Sequence, residues 1–287
     1  MMTNKTVALI FILIAAALAS ANGHTQTLDK IRKQGVITLG YIDGAAPFSY
    51  ADANGDPQGY SVELCRSIAE GVAAQLERPQ LKTRWVKLNI QNRIDAVRRK
   101  QVDVECSTTT WTLGRQRLVD FSLVTFLDGA SILTKLDTDA RRIADFGGKR
   151  IAVIGGTTTE AALRQALTKG LVSAQVVPIK TRDEGLELLR QGQVDGVASD
   201  RTTLIGLVVK KASGGDAYKL LDEDFSIEQY ALMLPRGDPD FRLAVNRVLA
   251  RLYRSNEIRR VYDRWLGPLG APSPLLSATF FIQGLAE

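Results

Sequence analysis

Histidine is almost missing from these 287 residues: the single one, His24, stands just behind an apolar run near the N-terminus. With no imidazole in the body of the chain, Ser-His-Asp and Cys-His catalysis and histidine-based zinc sites are excluded together. No G-x-G-x-x-G fingerprint is present. The Gly155-Gly-Thr-Thr-Thr turn has the wrong spacing for dinucleotide binding. The basic pairs Arg98-Arg99, Arg141-Arg142, Lys210-Lys211 and Arg259-Arg260 are scattered and not interleaved with aromatics, so a nucleic-acid partner is not expected. Neither a metal nor a cofactor is implied. The one long apolar run, Val7 to Leu18, is too short for a comfortable membrane span, and no cysteine follows it to carry a lipid.

What remains is an ordinary globular composition, 45% hydrophobic and 24% charged with a formal charge of +6. Lys5, the apolar run and the small-x-small Ala19-Ser20-Ala21 read as an export signal over residues 1–24, cut near Ala21, with an uncleaved anchor as the alternative. In an exported chain the two cysteines, Cys65 and Cys106, favour one disulfide over two buried thiols. Such a bridge, closing a loop of about 40 residues, is worth roughly 4 kcal/mol in the chain-entropy view.

Strand and helix patterns alternate along the chain, which indicates an α/β architecture with two similar sheets. Val36–Gly40, 81–88 and the Val102 region read as strands around helices at 60–76 and 91–100. In the second of these helices Ile94 and Val97 face inward and the arginines outward. A second series follows, with strands at 151–154, 175–179 and 196–198 and helices at 158–169, 183–191 and 201–212. A strand at 230–235 and amphipathic helices over 240–265, carrying Leu243, Val248, Leu249 and Leu252 on one side, close the body. Segments 122–135 and 224–234 are longer than one sheet needs and suit two crossings between lobes. The expected division is lobe 1, discontinuous, over 28–128 plus 230–270, lobe 2 over 129–229, and a loose or extended Pro/Ser-rich tail over 271–287.

The richest stretch runs from Val102 to Arg115. Two apolar residues of a strand lead into a turn crowded with hydroxyls, then a short helix carrying a guanidinium. Hydroxyls, free backbone N–H groups and an arginine at a strand-to-helix turn make a seat for an anion. Nothing there resembles a nucleophile with its base.

The ordered motifs Leu28-Asp-Lys-Ile-Arg-Lys-Gln-Gly, Pro47-Phe-Ser-Tyr, Gly59-Tyr-Ser, Gln91-Asn-Arg-Ile, Glu105-Cys-Ser-Thr-Thr, Arg115-Gln, Asp120-Phe-Ser, Gly156-Thr-Thr-Thr-Glu and Ser199-Asp carry a resemblance. Over Leu28 to about Gly267 the chain resembles the periplasmic solute-binding proteins of polar-amino-acid ABC importers (family 3 type), and among them the glutamate/aspartate branch. The resemblance implies the type II fold, a two-lobed clamp with two hinge crossings, each lobe a mixed sheet flanked by helices. It also implies a free amino acid held between the lobes and handed to a membrane permease.

By the same resemblance Arg115 takes the α-carboxylate and Asp200 the α-ammonium. The hydroxyl turn Ser107–Thr110, chiefly Thr108 and Thr110, and the helix start Thr157–Thr159, chiefly Thr157 and Thr158, add hydrogen bonds. A zwitterion taken out of water needs such a paired cation and anion. A surface salt bridge competes as a role for Arg115, and an N-cap of the following helix for Asp200. Arg93 retains the arginine of the Gln-Asn-Arg motif and Arg182 stands roughly where the branch carries a histidine, which leaves two basic groups for a side-chain anion, although Arg93 could instead face solvent beside Arg98 and Arg99. Ile42 and Ile90 depart from the branch, which has a basic residue and a hydroxyl there. The ligand is therefore expected to be acidic and glutamate- or aspartate-like, with a larger or less polar relative as the alternative. Trp111 is placed either as a pocket wall or in core packing. A monomeric periplasmic binding component and no enzyme activity are expected. The competing readings are a dehydratase of the same fold acting on arogenate or prephenate, and a free sensor component.

Overall fold

In a computed structural model the chain is described over residues 27–211 and 217–287. The stretch expected to be an export signal, with Lys5, Ala21 and His24, lies outside the described residues. Two strands organise everything else: β6, Asp120–Lys135, and β11, Ser226–Leu234. They pair antiparallel from Asp120↔Leu234 to Ala130↔Ser226, with register shifts around Tyr230 and Ala231.

On one side of this ribbon, β5 (Val104–Glu105) bridges β11, and β1 (Val36–Ile42) and β4 (Lys82–Leu88) follow in parallel. On the other, the C-terminal half of β6 pairs with β9 (Gly196–Asp200), then β7 (Arg150–Ile154) and β8 (Gln175–Ile179) run parallel to β9. β10 (Tyr218–Leu220) pairs with the end of β6. A separate small hairpin is formed by β2 (Tyr50–Ala51) and β3 (Pro57–Gln58). The sheet is thus mixed and shared by two lobes, as the type II clamp requires, with one continuous hydrogen-bonded ladder instead of two separate sheets.

Lobe 1 packs α1 (Thr27–Gln34), α2 (Tyr60–Gln75), α8 (Pro239–Arg254) and α9 (Glu257–Trp265) over a core that includes Ile37, Leu39, Ile68, Leu232 and Val245. Apolar positions at helical spacing on α2 (Val62, Cys65, Ile68, Ala69 and Val72) are all buried. Cys65 and Cys106 form a disulfide that ties α2 to the turn after β5. Lobe 2 buries Ile151, Val153 and Leu163 on one face of its sheet and Ile154, Leu189 and Leu204 on the other. Its helices are α5 (Thr158–Lys169), α6 (Arg182–Arg190) and α7 (Arg201–Lys211). The remaining short helices are α3, Arg93–Arg98, and α4, Leu113–Gln116.

Three readings are corrected. The tail is not loose: Ser273 caps α10 (Pro274–Gln283), whose Leu276 and Phe280 are buried, and Phe280 stacks on Tyr253 at 4.9 Å between centroids. Gln283 accepts from the backbone N–H of Val124 at 2.8 Å, and Asn246 accepts from that of Leu123 at 2.9 Å. These side chains satisfy donors on β6 where it is the outer strand of lobe 1, a position otherwise open to pairing with another chain. Leu243 is 49% exposed and lies off the apolar side of α8. Arg93 does not face outward with Arg98; it is buried.

Candidate functional site

The ends of β5, β7 and β9 point their following turns at one cleft between the lobes, where strand ends of an α/β sheet ordinarily hold ligands. Ile90, Arg93, Thr108, Thr110, Thr157, Thr158, Arg182 and Asp200 all line a small cavity there, of about 20 Å³. Ile42 lines a second cavity of about 390 Å³ that shares Ile90, Ile154 and Arg182 with the first. Arg115 lines neither. It is half-buried beside them, its Nη1 donating to the carbonyl of Thr110 at 2.7 Å.

Local sequence explains these placements. The hydroxyl turn is stitched to β11, with Trp111 N–H donating to Gln229 and Ala231 N–H to Thr109. Thr112 caps α4 by accepting from the N–H of Arg115, and Thr157 caps α5 by accepting from that of Glu160. The Thr157 hydroxyl also donates to the Ile154 carbonyl at 2.8 Å, so it is engaged within its own turn. Trp111 stacks on Phe121 at 6.3 Å, away from the residues that line the cavities.

The two lobes meet through hydroxyls. Thr110 and Thr158 both donate to the Oε2 of Glu228, at 2.5 and 2.9 Å, and Ser226 donates to Oε1 at 2.7 Å. Asp200 accepts from the Thr159 hydroxyl at 3.0 Å and from the Tyr230 hydroxyl at 2.6 Å, and Arg182 Nη2 stands 4.0 Å from it. Arg182 also donates to Ser199 Oγ at 2.8 Å and reaches across to the Gly44 carbonyl at 3.4 Å. The helix after Asp200 is capped by a different acid: Asp128 of β6 accepts from the N–H and hydroxyl of Thr202. Asp200 is thereby left free of the capping role.

Burial shapes the charges. It lowers the Arg115 pKa to about 10, helped by nearby Arg93 and opposed by Glu228, Glu105 and Asp200. The guanidinium stays protonated at neutral pH. Burial likewise raises the Glu105 carboxyl above the usual range against the pull of Arg93 and Arg115. Asp128 is pushed up to about 7 by burial and then by the Asp200 charge. Three buried polar atoms have no partner among the described residues: Arg93 Nε, Glu105 Oε1 and Ser107 Oγ. Orphans of this kind in and beside a cleft mark groups that a ligand or solvent satisfies.

Asp128, Glu228 and Tyr230 escape a motif reading because each belongs to a strand that also reads as plain structure, and Glu105 enters only as the first residue of the Glu105-Cys-Ser-Thr-Thr motif, with no role of its own. The only available signal is acids embedded in apolar strands. Among the described residues no cluster of His, Cys, Asp or Glu could hold a metal, and no helix is long and apolar enough to cross a membrane.

Comparison with known proteins identifies the family and the fold. An L-glutamate/L-aspartate-binding protein of Pseudomonas aeruginosa is 34% identical over 257 residues, 88% of this chain and 85% of that protein. A glutamate/aspartate import solute-binding protein of Escherichia coli K12 is 30% identical over 262 residues, covering 90% and 86%. Among solved structures, a mutant of ArgBP from T. maritima superposes with a TM-score of 0.72 at 26% identity, over 84% of this chain and 99% of that one. These relatives are binding proteins, not enzymes. The model of the bacterial extracellular solute-binding proteins, family 3, matches residues 37–268, and the chain belongs to that family.

Proposed function

We propose that this protein captures a free acidic amino acid between its lobes outside the inner membrane and delivers it to the permease of an ABC importer. The observation that carries the reading is the convergence of Thr110 from one lobe and Thr158 from the other, their hydroxyls 3.2 Å apart, beside Arg182 and Asp200. In this reading Arg115 and the hydroxyls of Thr108, Thr110 and Thr158 serve the α-carboxylate, with Thr157 holding the helix start in place. Asp200 takes the ammonium, while Arg93 and Arg182 face the side-chain anion. Ile42 and Ile90 form the apolar part of the wall.

Lobe 1 comprises 28–128 plus 230–270, lobe 2 comprises 129–229, and the helical tail belongs with lobe 1. The protein works as a periplasmic monomer after removal of its signal near Ala21. The relatives' printed ligands, glutamate and aspartate, and the buried arginines Arg93 and Arg182 support an acidic ligand. The dehydratase alternative finds no support in the comparisons. Calorimetric titration with the twenty amino acids tests the proposal. One-to-one binding of acidic amino acids alone is expected, and absence of binding to any of them defeats it.

A further inference from the structure

The inner cavity, about 20 Å³, has room for one or two waters, whereas the cavity of about 390 Å³ that adjoins it through Ile90, Ile154 and Arg182 is far larger. The larger cavity is lined by both apolar and basic side chains. Ile42, Leu88, Ile90, Ile154 and Leu207 supply its apolar lining, the first three from lobe 1 and the last two from lobe 2. Lys87, Lys180, Lys210 and Lys211 stand with Arg182 around it, against Asp43 and Asp183 only. Lys87 is paired with Asp43 at 2.9 Å and Lys211 with Asp183 at 3.4 Å. Lys210 stands over the Tyr50 ring at 5.2 Å. The Lys180 ammonium has no ion-pair partner among the described residues, so the uncompensated charge of this space is positive.

Resting on the reading of the cleft as an acidic-amino-acid site, we infer that the side-chain end of the ligand extends into this larger cavity. The ligand class is then an α-amino acid whose side chain is longer than that of glutamate and ends in an anion, as in γ-glutamyl amino acids and long α-aminodicarboxylates. The zwitterionic head sits at Arg115 and Asp200. Methylene or amide groups pass between Ile42 and Ile90, where a polar wall would stop a short carboxylate, and the terminal carboxylate lies against Lys180. Polar groups at positions 42 and 90 would hold glutamate's own carboxylate close to Arg93. Isoleucines cannot hydrogen-bond it, and they favour a chain that continues past.

The test is calorimetric titration of the purified protein with L-aspartate, L-glutamate, L-2-aminopimelate, γ-L-glutamylglycine, γ-L-glutamylglycinamide and L-arginine. The expected result is that γ-L-glutamylglycine or L-2-aminopimelate binds about 10-fold or more tighter than glutamate, and that the glycinamide, lacking the terminal charge, loses that advantage. In Lys180→Glu, an exposed change that a melting curve checks for folding, the preference for γ-L-glutamylglycine over glutamate falls about 10-fold. Glutamate or aspartate binding as tightly as the longer acids overturns the inference while leaving the acidic-amino-acid reading intact. An unchanged preference in Lys180→Glu overturns the placement of the terminal anion. Binding of arginine alone, or of no amino acid, overturns the acidic-site reading itself and this inference with it.

Discussion

The carboxylate of Glu228 sits on the hydroxyl of Thr110 at 2.5 Å, a hydroxyl that the proposed function assigns to the ligand's carboxylate. Thr158 donates to the same oxygen from the opposite lobe, and Glu228 is only 2% exposed. A side chain of the hinge strand therefore fills, with the same chemistry, the place where the two lobes would share an anion. Any carboxylate arriving there meets a like charge as well as Arg115.

Glu228→Gln keeps the shape and most of the hydrogen bonds but removes that charge. The expected outcome is binding of the acidic ligand about 10-fold tighter, near 1.4 kcal/mol, measured by calorimetry at neutral pH. Weaker binding would instead make Glu228 a group that helps to hold the ligand.

Arg115 is anchored through the Thr110 carbonyl and stays protonated although half-buried, the charges of Glu228, Glu105 and Asp200 opposing the effect of burial. Arg115→Ala leaves those acids and the ligand carboxylate without their cation. A loss on the order of 2–5 kcal/mol in binding is expected, about 30- to several-thousand-fold in affinity. Equal affinity of the variant and the parent in a direct titration would remove Arg115 from the site.

Closure of the cleft depends on a glycine. A Cβ built on Gly206 of α7 falls 2.2 Å from the Ala46 carbonyl oxygen across the cleft, too close for any side chain. Gly206→Val is therefore expected to hold the lobes apart, with little loss of stability because neither lobe's core is touched. Small-angle scattering should show no compaction on adding ligand, and affinity should drop at least about 10-fold. Normal compaction in the variant would mean that the lobes close by another path.

Much of this was legible in residue patterns because single elements carried it. The hydroxyl run at Thr108 to Thr110 and the Thr157–Thr159 helix start mark their own turns, and eight of the ten residues expected to meet a ligand line a single small cavity. Arg93 was ambiguous because its neighbours in sequence, Arg98 and Arg99, do face solvent, and only the packing of α3 against β5 and β11 turns it inward. The tail reads as loose from its Pro and Ser residues, yet these lie at a helix start, where Ser273 caps and Pro274 fits without cost. Glu228 and Asp128 are cross-strand partners, a relationship that exists only once β6 and β11 pair.

That pairing also places a proton. Tyr230 donates its one hydroxyl hydrogen to Asp200 at 2.6 Å, while Asp128 lies 3.2 Å from the same oxygen and titrates near 7. A protonated Asp128 completes the chain by donating to Tyr230. Because its folded-state pKa lies above the unfolded value of 3.8, the native state holds this proton more tightly than the unfolded chain. The stability it contributes is full below about pH 4 and is lost as pH rises through about 7. The loss is on the order of 4 kcal/mol at most, and smaller if water relaxes around the ionised group. Asp128→Asn keeps an acceptor for the N–H groups of Gly129 and Thr202 and cannot ionise. Between pH 5.5 and 8 the variant should gain stability relative to the parent by about 2 kcal/mol in urea unfolding, Glu105 being common to both proteins. Parallel pH profiles for the two would show that Asp128 carries no proton at the hinge.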